Sequence, residues 1–246
     1  MDPAESNTDK ILPKHSSGRS STMLAIVIIV IQVLIALVTY PFMPDQVPTH
    51  WDAAGNINGY MPKLIGVFLL PFISIGLYLL MRVLYDAGPK LGNDNQRANG
   101  EIIKLLLLGI LLVNLVLQLT TTAIALHVPV DMTLVINLSL SVLFIFMGNY
   151  LGKLRRNFWG GIRSPWTLSS DIVWERTHRL GGWLFVLGGL LGLIMSFVPF
   201  LRTFGIVTIA ILISLISVAY SYIVYQRVIV KGDKSLSPPF DESNGL

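Results

Sequence analysis

Six long stretches of this chain are nearly free of charge, and each is long enough to cross a bilayer. They are Met23–Phe42, Leu64–Leu84, Ile102–Leu126, Met132–Tyr150, Leu180–Leu201 and Phe204–Tyr225. A helix needs about 20 mainly apolar residues to span the hydrocarbon, and a charge at its centre costs about 2.5–3.5 kcal/mol on insertion scales. Arg82 stands near an end of the second stretch, where it can snorkel, and no other Lys, Arg, Asp or Glu lies deep in any of them. The expected fold is therefore all-α: a polytopic membrane protein with six transmembrane helices. Composition agrees. Charged residues make up 13% of the chain and hydrophobic ones 53%, with a mean hydropathy of +0.66. A soluble domain usually carries about a quarter Asp, Glu, Lys and Arg, so much of this surface faces lipid.

The placement of the cations orients the bundle. With a cytoplasmic N-terminus, the inner segments hold Lys10, Lys14, Arg19, Arg82, Lys90, Arg97, Lys104, Lys153, Arg155, Arg156, Arg163, Arg176, Arg179, Arg227, Lys231 and Lys234. Only Lys63 and Arg202 fall outside, the asymmetry that the positive-inside rule describes. Both termini are thus expected in the cytoplasm, and the first span reads as an uncleaved signal anchor, since no small-residue cleavage site follows it. The chain has no cysteine, which excludes disulfides, thiolate metal sites and a cysteine nucleophile. Its net charge of +4 is too small to argue for direct nucleic-acid binding.

The chain divides into a mobile cytoplasmic tail over 1–22, a two-helix unit over 23–85, a connecting loop and third helix over 86–130, a three-helix region over 131–228, and a second mobile tail over 229–246. Small and polar residues recur at helical spacing inside the spans: Gly188, Gly192 and Ser196; Ser214, Ser217 and Ser221; Asn114, Gln118 and Thr121; Asn137 and Ser141. They read as seams where helices meet. The competing reading is a polar path for a solute, against which stands the lack of any intramembrane carboxylate.

Two segments are far more patterned than a lipid-facing chain requires. The first, between spans one and two, contains "PTHWDAAG", with Pro48, His50, Trp51, Asp52 and Gly55 at the outer surface. His50 and Asp52, with His127 and Asp131, offer metal-ligand atoms on one side of the membrane, but no helical ligand pair accompanies them. A structural loop or a ligand-binding loop are the other readings. The second, "NFWGGIRSPWTLSSDIVWERTHRLGG" over 157–182, holds three of the five tryptophans. Gly160–Gly161 breaks the chain, Pro165 keeps Ser164 out of helix, and 167–179 reads as a short interfacial helix between helices four and five, capped by Thr167 or Ser169. Trp174 and His178 share its face. Anchoring to anionic lipid explains the composition of this segment but not its order. No nucleophile–base arrangement, paired intramembrane aspartate or phosphate loop is legible, so no enzyme and no cofactor are expected.

The order resembles the signature of the SdpI family of bacterial membrane proteins. Asn157, Gly161, Ile162, Arg163, Pro165, Trp166, Thr167, Leu168, Trp174, Thr177 and His178 match it, and Ser164 departs from a common Thr. The outer loop is similar to a small two-helix domain of uncharacterised function that often precedes the SdpI region, through Pro48, His50, Trp51 and Gly55. The two resemblances cover roughly 23–85 and 130–225. They imply a multi-pass protein of the bacterial plasma membrane that gives immunity to a secreted peptide toxin and signals by sequestering a cytoplasmic repressor. The outer loop would then be a toxin-sensing surface and the inner segment a docking or protective one. A small solute or ion transporter, a permease accessory subunit, or a membrane chaperone or regulatory subunit are the alternatives.

Overall fold

The computed structural model describes residues 17–52, 54–87, 95–157, 160–202 and 204–232. Helix α1 (Ser17–Thr39) runs into a 3₁₀ turn at Tyr40–Phe42. Two antiparallel strands follow, β1 (Gln46–Trp51) and β2 (Ile57–Pro62). Then come α2 (Lys63–Ala87), α3 (Asn95–Ala125), α4 (Met132–Leu151), the short α5 (Pro165–Ser169), α6 (Asp171–Ser196), the short α7 (Pro199–Arg202) and α8 (Gly205–Tyr225), which ends in a π-helical turn at Gln226–Val230. Among the described residues, helices α1, α2, α3, α4, α6 and α8 are the six long and apolar enough to cross a membrane.

Three differences from the sequence expectation bear on the site. Helix α1 begins at Ser17, so the end of the expected N-terminal tail is helical. The loop between α1 and α2 is a β-hairpin, although the chain reads as all-α. Its register is irregular between Pro48 and Trp51, where Pro48 has no N–H to give the ladder. The third difference concerns 167–179, which is not one interfacial helix. Helix α5 is a five-residue piece, and α6 runs without a break from Asp171 into the span. The division falls at Ser170, whose extended backbone (φ −149°, ψ 133°) stops α5 while its hydroxyl accepts from the Val173 N–H to cap α6. Residues 1–16 and 233–246, on which the remaining tail expectation rests, lie outside the described residues, as does Trp159.

Apolar side chains attract one another no more than they attract lipid, so spans associate through close packing and polar contacts. Helices α1, α2 and α3 do this with side chains: Ala25, Ile28, Leu107, Leu108 and Leu111 form a buried core, flanked by Leu77, Tyr78 and Met81. Helices α4 and α6 do it with backbone. A Cβ on Gly148 would lie 2.6 Å from the Gly182 carbonyl oxygen, and one on Gly189 would lie 2.6 Å from that of Ser141. Glycine is obligatory at both positions because no side chain fits between two helices in contact.

Most of the polar stripes lie on these seams, while Thr121 lines a cleft. The Asn114 amide donates to Ser74 Oγ at 3.2 Å and that of Gln118 to the Gln32 carbonyl at 2.8 Å, tying α3 to α2 and α1. Gly188 faces Ile209 and Ile213 of α8, and Gly192 faces Ser141 of α4. Ser217 and Ser221 are buried, whereas Ser214 is exposed and bonds back to its own helix at Ala210.

Candidate functional site

The bundle has a basic end, which carries 153–171, and a hairpin end, which carries β1 and β2. At the basic end the chain leaves α4 at Gly152 and is held at once by α3. Asn99, fully buried, donates through Nδ2 to the Arg155 carbonyl and accepts the Arg155 N–H, both at 2.9 Å. One carboxamide thus replaces the backbone partner that a loop residue lacks. Asn157 continues the turn by donating to the Arg155 carbonyl at 2.9 Å and accepting the Gly160 N–H at 2.8 Å.

Gly161 has φ +105°, a conformation that other residues rarely adopt. A Cβ there would collide with His178 Nε2. The tight approach lets the Ile162 N–H donate to His178 Nε2 at 2.9 Å, while His178 Nδ1–H donates to the Trp174 carbonyl at 2.8 Å. With Nε2 accepting, the imidazole is neutral and both nitrogens are occupied, so His178 is a structural crosslink and has no lone pair left for acid–base work. Trp174, 1% exposed, stacks on the His178 ring at 3.9 Å and donates from Nε1 to the Leu154 carbonyl at 2.7 Å.

Ser164, and neither Thr167 nor Ser169, caps α5. It forms a capping box with Thr167, and Pro165 occupies the first turn as its missing N–H allows. Ser164 Oγ also lies 2.9 Å from Ser221 Oγ, which fastens α5 to α8, and Trp166 packs against Tyr222 with ring centroids 5.0 Å apart. Thr167, Thr177 and His178 are fully buried; Arg163 is exposed. Beside this knot an open cleft of about 340 Å³ lies between 152–156 and the start of α6, lined by Lys153, Arg155, Arg156, Asp171, Trp174 and Glu175. Arg156 spans its edge, donating to Asp171 at 2.6 Å and to the Leu168 carbonyl at 2.7 Å.

At the other end, Val47 anchors β1 in a cluster with Ala36, Met43, Val67 and Ala125. The strand passes so close over α2 that a Cβ on Gly66 would sit 2.7 Å from that of Val47. The tip of the hairpin is shaped by Asp52, whose carboxylate accepts the Ala54 and Asn56 N–H groups at 2.9 Å. These bonds, that of Asn56 foremost, hold its pKa below the usual carboxylate value. Gly55 (φ +88°) completes the turn and leaves room for Thr133 of α4, whose methyl a Cβ would meet at 3.1 Å. His50 pairs with Asn58 at 2.5 Å. Under the strand, between α2, α3 and α4, lies a cleft of about 290 Å³. Thr49, His50 and Trp51 line it from the strand, and Leu70, Thr121 and Ile136 from the helices.

A clasp closes this end. Asp131 caps α4 by accepting the Leu134 N–H at 3.0 Å and pairs with Arg202, which also donates to the Ser196 carbonyl at 2.7 Å. Burial works to raise the Asp131 pKa, but the Thr133 hydroxyl, the Leu134 amide and Arg202 outweigh it, and the net shift is downward. The four side chains considered for a metal, His50, Asp52, His127 and Asp131, are not gathered: among the described residues no three His, Cys, Asp or Glu stand close enough to hold an ion.

Sequence reasoning missed Asn99 and the Asp131–Arg202 clasp. Asp131 had a visible signal, an Asp just before an apolar helical run. Asn99 had none, since its partner is backbone on another segment.

Residues 153–225 match the SdpI/YfhL protein family, and residues 27–75 match a domain of unknown function (DUF1648). Over 207 residues the chain is 25% identical to "Immunity protein SdpI" of Bacillus subtilis (strain 168), covering 84% of this chain and 96% of that protein. A shorter similarity, 36% over 42 residues, links 17% of the chain to 46% of the "Uncharacterized membrane protein YbgB" of the same organism. No solved structure matches.

Proposed function

We propose that this chain, a multi-pass bacterial membrane protein carrying an SdpI/YfhL family region over 153–225, is an immunity protein that protects the cell against a secreted peptide toxin. The observation that carries this reading is the 207-residue similarity to an immunity protein, because it runs through the hairpin unit as well as the family region. The hairpin end faces outward in this reading and the basic end faces the cytoplasm. The hairpin cleft supplies the toxin contact, since His50 and Trp51 stand half-exposed or exposed above an apolar floor. The basic-end cleft, with cations and carboxylates mixed, is the surface for a cytoplasmic partner such as a repressor. No step of this reading involves catalysis.

Expression in a toxin-sensitive bacterium is the direct test. Survival under challenge with hydrophobic or cationic peptide toxins should rise. An unchanged survival accompanied by altered solute uptake would replace immunity with transport. Single cysteines test the orientation: Ala54→Cys should react with an impermeant maleimide from outside, and Ser169→Cys only after the membrane is opened. Arg163→Ala, at an exposed position, should abolish protection or signalling without loss of protein. If the variant protects fully, Arg163 has no part in either.

A further inference from the structure

Helices α1 and α4 both pack on α3, and a long groove of about 470 Å³ runs along α3 between them. Its wall on α3 includes Leu105, Leu112 and Val116, and its wall on α4 includes Ser139, Leu143 and Phe146. Each set repeats at helical spacing, so each is a continuous stripe along the membrane normal. Ser139 is the one polar side chain that lines it among the described residues. Gly109 deepens the floor: a Cβ there would press on Leu143 and on the Phe146 ring, each at 3.1 Å.

At the basic end the α4 stripe continues out of the groove. Phe146 packs on Tyr150, with ring centroids 5.1 Å apart, and Lys153 Nζ lies 5.0 Å from the centre of the Tyr150 ring. The aromatic ladder thus leads from the apolar groove to an exposed ammonium group. Lys153 makes no ion pair among the described residues, while the carboxylate near the foot of the α3 stripe, Glu101, is already held by Lys104 at 3.1 Å. Arg155 follows Lys153, so the groove opens under positive charge.

An empty groove forfeits the dispersion contacts of its lining, and in a bilayer the filler is hydrocarbon. The volume decides which kind. A spanning helix is a cylinder about 10 Å wide and 30 Å long, several times too large, whereas a single acyl chain fits. A zwitterionic headgroup brings its own cation beside the phosphate and leaves the net positive charge at Lys153 and Arg155 in place, whereas an anionic one offsets it. We propose that this groove binds one acyl chain of an anionic phospholipid whose phosphate is held by Lys153. The groove is separate from both clefts, and only its Lys153 end borders the lining of the basic-end one, so the proposal stands or falls without the immunity reading.

The test uses the full-length chain, purified in mild detergent and offered phosphatidylglycerol or phosphatidylcholine, with retained lipid counted by native mass spectrometry. One phosphatidylglycerol per chain should survive washing. Ser139→Trp, which fills the groove, should remove it, whereas Val207→Trp, at an exposed position of α8, should not. Lys153→Glu should lower the preference for phosphatidylglycerol over phosphatidylcholine by about five-fold or more, as expected for a cation at an anionic surface. Unmodified protein supplies a check that needs no variant: phosphatidylglycerol with a photoreactive acyl chain should crosslink to peptides covering 105–116 and 138–146. Equal retention by wild type and Ser139→Trp, equal affinity for both lipids, or crosslinks spread evenly over all six helices would overturn the proposal. So would a crosslinked dimer joined through 138–146, which would make a second copy the occupant.

Discussion

The hairpin at 46–62 and the segment at 153–178 are both polar interruptions of an apolar chain, but they spend their polar groups differently. In the basic-end segment the side chains bond to the protein itself: His178 to Ile162 and Trp174, Trp174 to Leu154, Ser164 to Thr167 and Ser221, Asn99 to residue 155. In the hairpin the bonds stay within the turn, and the strand roofs a cleft with His50 and Trp51 on its rim. The longer sequence pattern therefore describes the more structural region. Its aromatic and histidine residues fix how α4, α6 and α8 meet, while Arg163 and the neighbouring mixed-charge cleft face the surface.

Stability measurements divide the two regions most sharply. Trp174→Ala removes a buried ring, its stacking on His178 and the partner of the Leu154 carbonyl, and should cost about 3–5 kcal/mol. Gly161→Ala should follow at about 3 kcal/mol or more, the sum of a positive-φ penalty and a collision with His178. Both are read as lost accumulation in membranes and a lower midpoint of thermal unfolding in detergent. If Trp174→Ala accumulates normally yet loses protection, the segment is a contact surface and not a structural knot. Asn99→Ala ranks next. It leaves the Arg155 N–H and carbonyl without Asn99 and should cost about 2 kcal/mol, with the loop at 153–160 becoming the first site of proteolysis.

The bundle was legible because lipid imposes one rule on every span: apolar residues must run long enough to cross, and the cations collect on one side. The seams were legible because Gly188, Gly192 and Ser196 recur at helical spacing in one span and Asn137 and Ser141 in another. The knot was only half legible. Gly161, Pro165 and the Trp174–His178 pair announce a turn and a shared face, but the bonds from His178 to Ile162 and from Asn99 to Arg155 join positions whose meeting depends on tertiary packing. The course of α6 was misread for the same reason. Its polar first turns look interfacial in isolation, yet Val173, Trp174, Thr177 and His178 are buried by the loop that folds back over them. The hairpin escaped because its strands are short and Pro48 interrupts the alternation that signals a strand.

Substitutions at the hairpin should reverse the pattern seen at the knot. His50→Ala removes an exposed bond to Asn58 and should change stability by less than about 0.5 kcal/mol, yet lower protection. Trp51→Ala should lower it further, since the ring lines the cleft. Thermal midpoints and survival assays on the same preparations separate the two effects. Unchanged protection in both variants would overturn the proposal that the hairpin contacts a toxin.

The smallest effect belongs to pH, and it probes the hairpin tip alone. Asp52 titrates below its ordinary value of 3.8 because the folded turn supplies N–H donors, that of Asn56 first, to its carboxylate. A depressed carboxylate pKa means that the unfolded turn binds the proton more tightly. The stabilisation is therefore complete above pH 3.8 and disappears as the pH falls through the lower folded value. The Asn56 amide resonance should hold its position from neutral pH down to that range and then shift, while the amides of α6 stay fixed. Asp52→Asn keeps an acceptor oxygen but has no proton to gain, so its Asn56 resonance should stay flat throughout. A shift that persists in Asp52→Asn would trace the pH response to another group and leave the tip without a charged organiser.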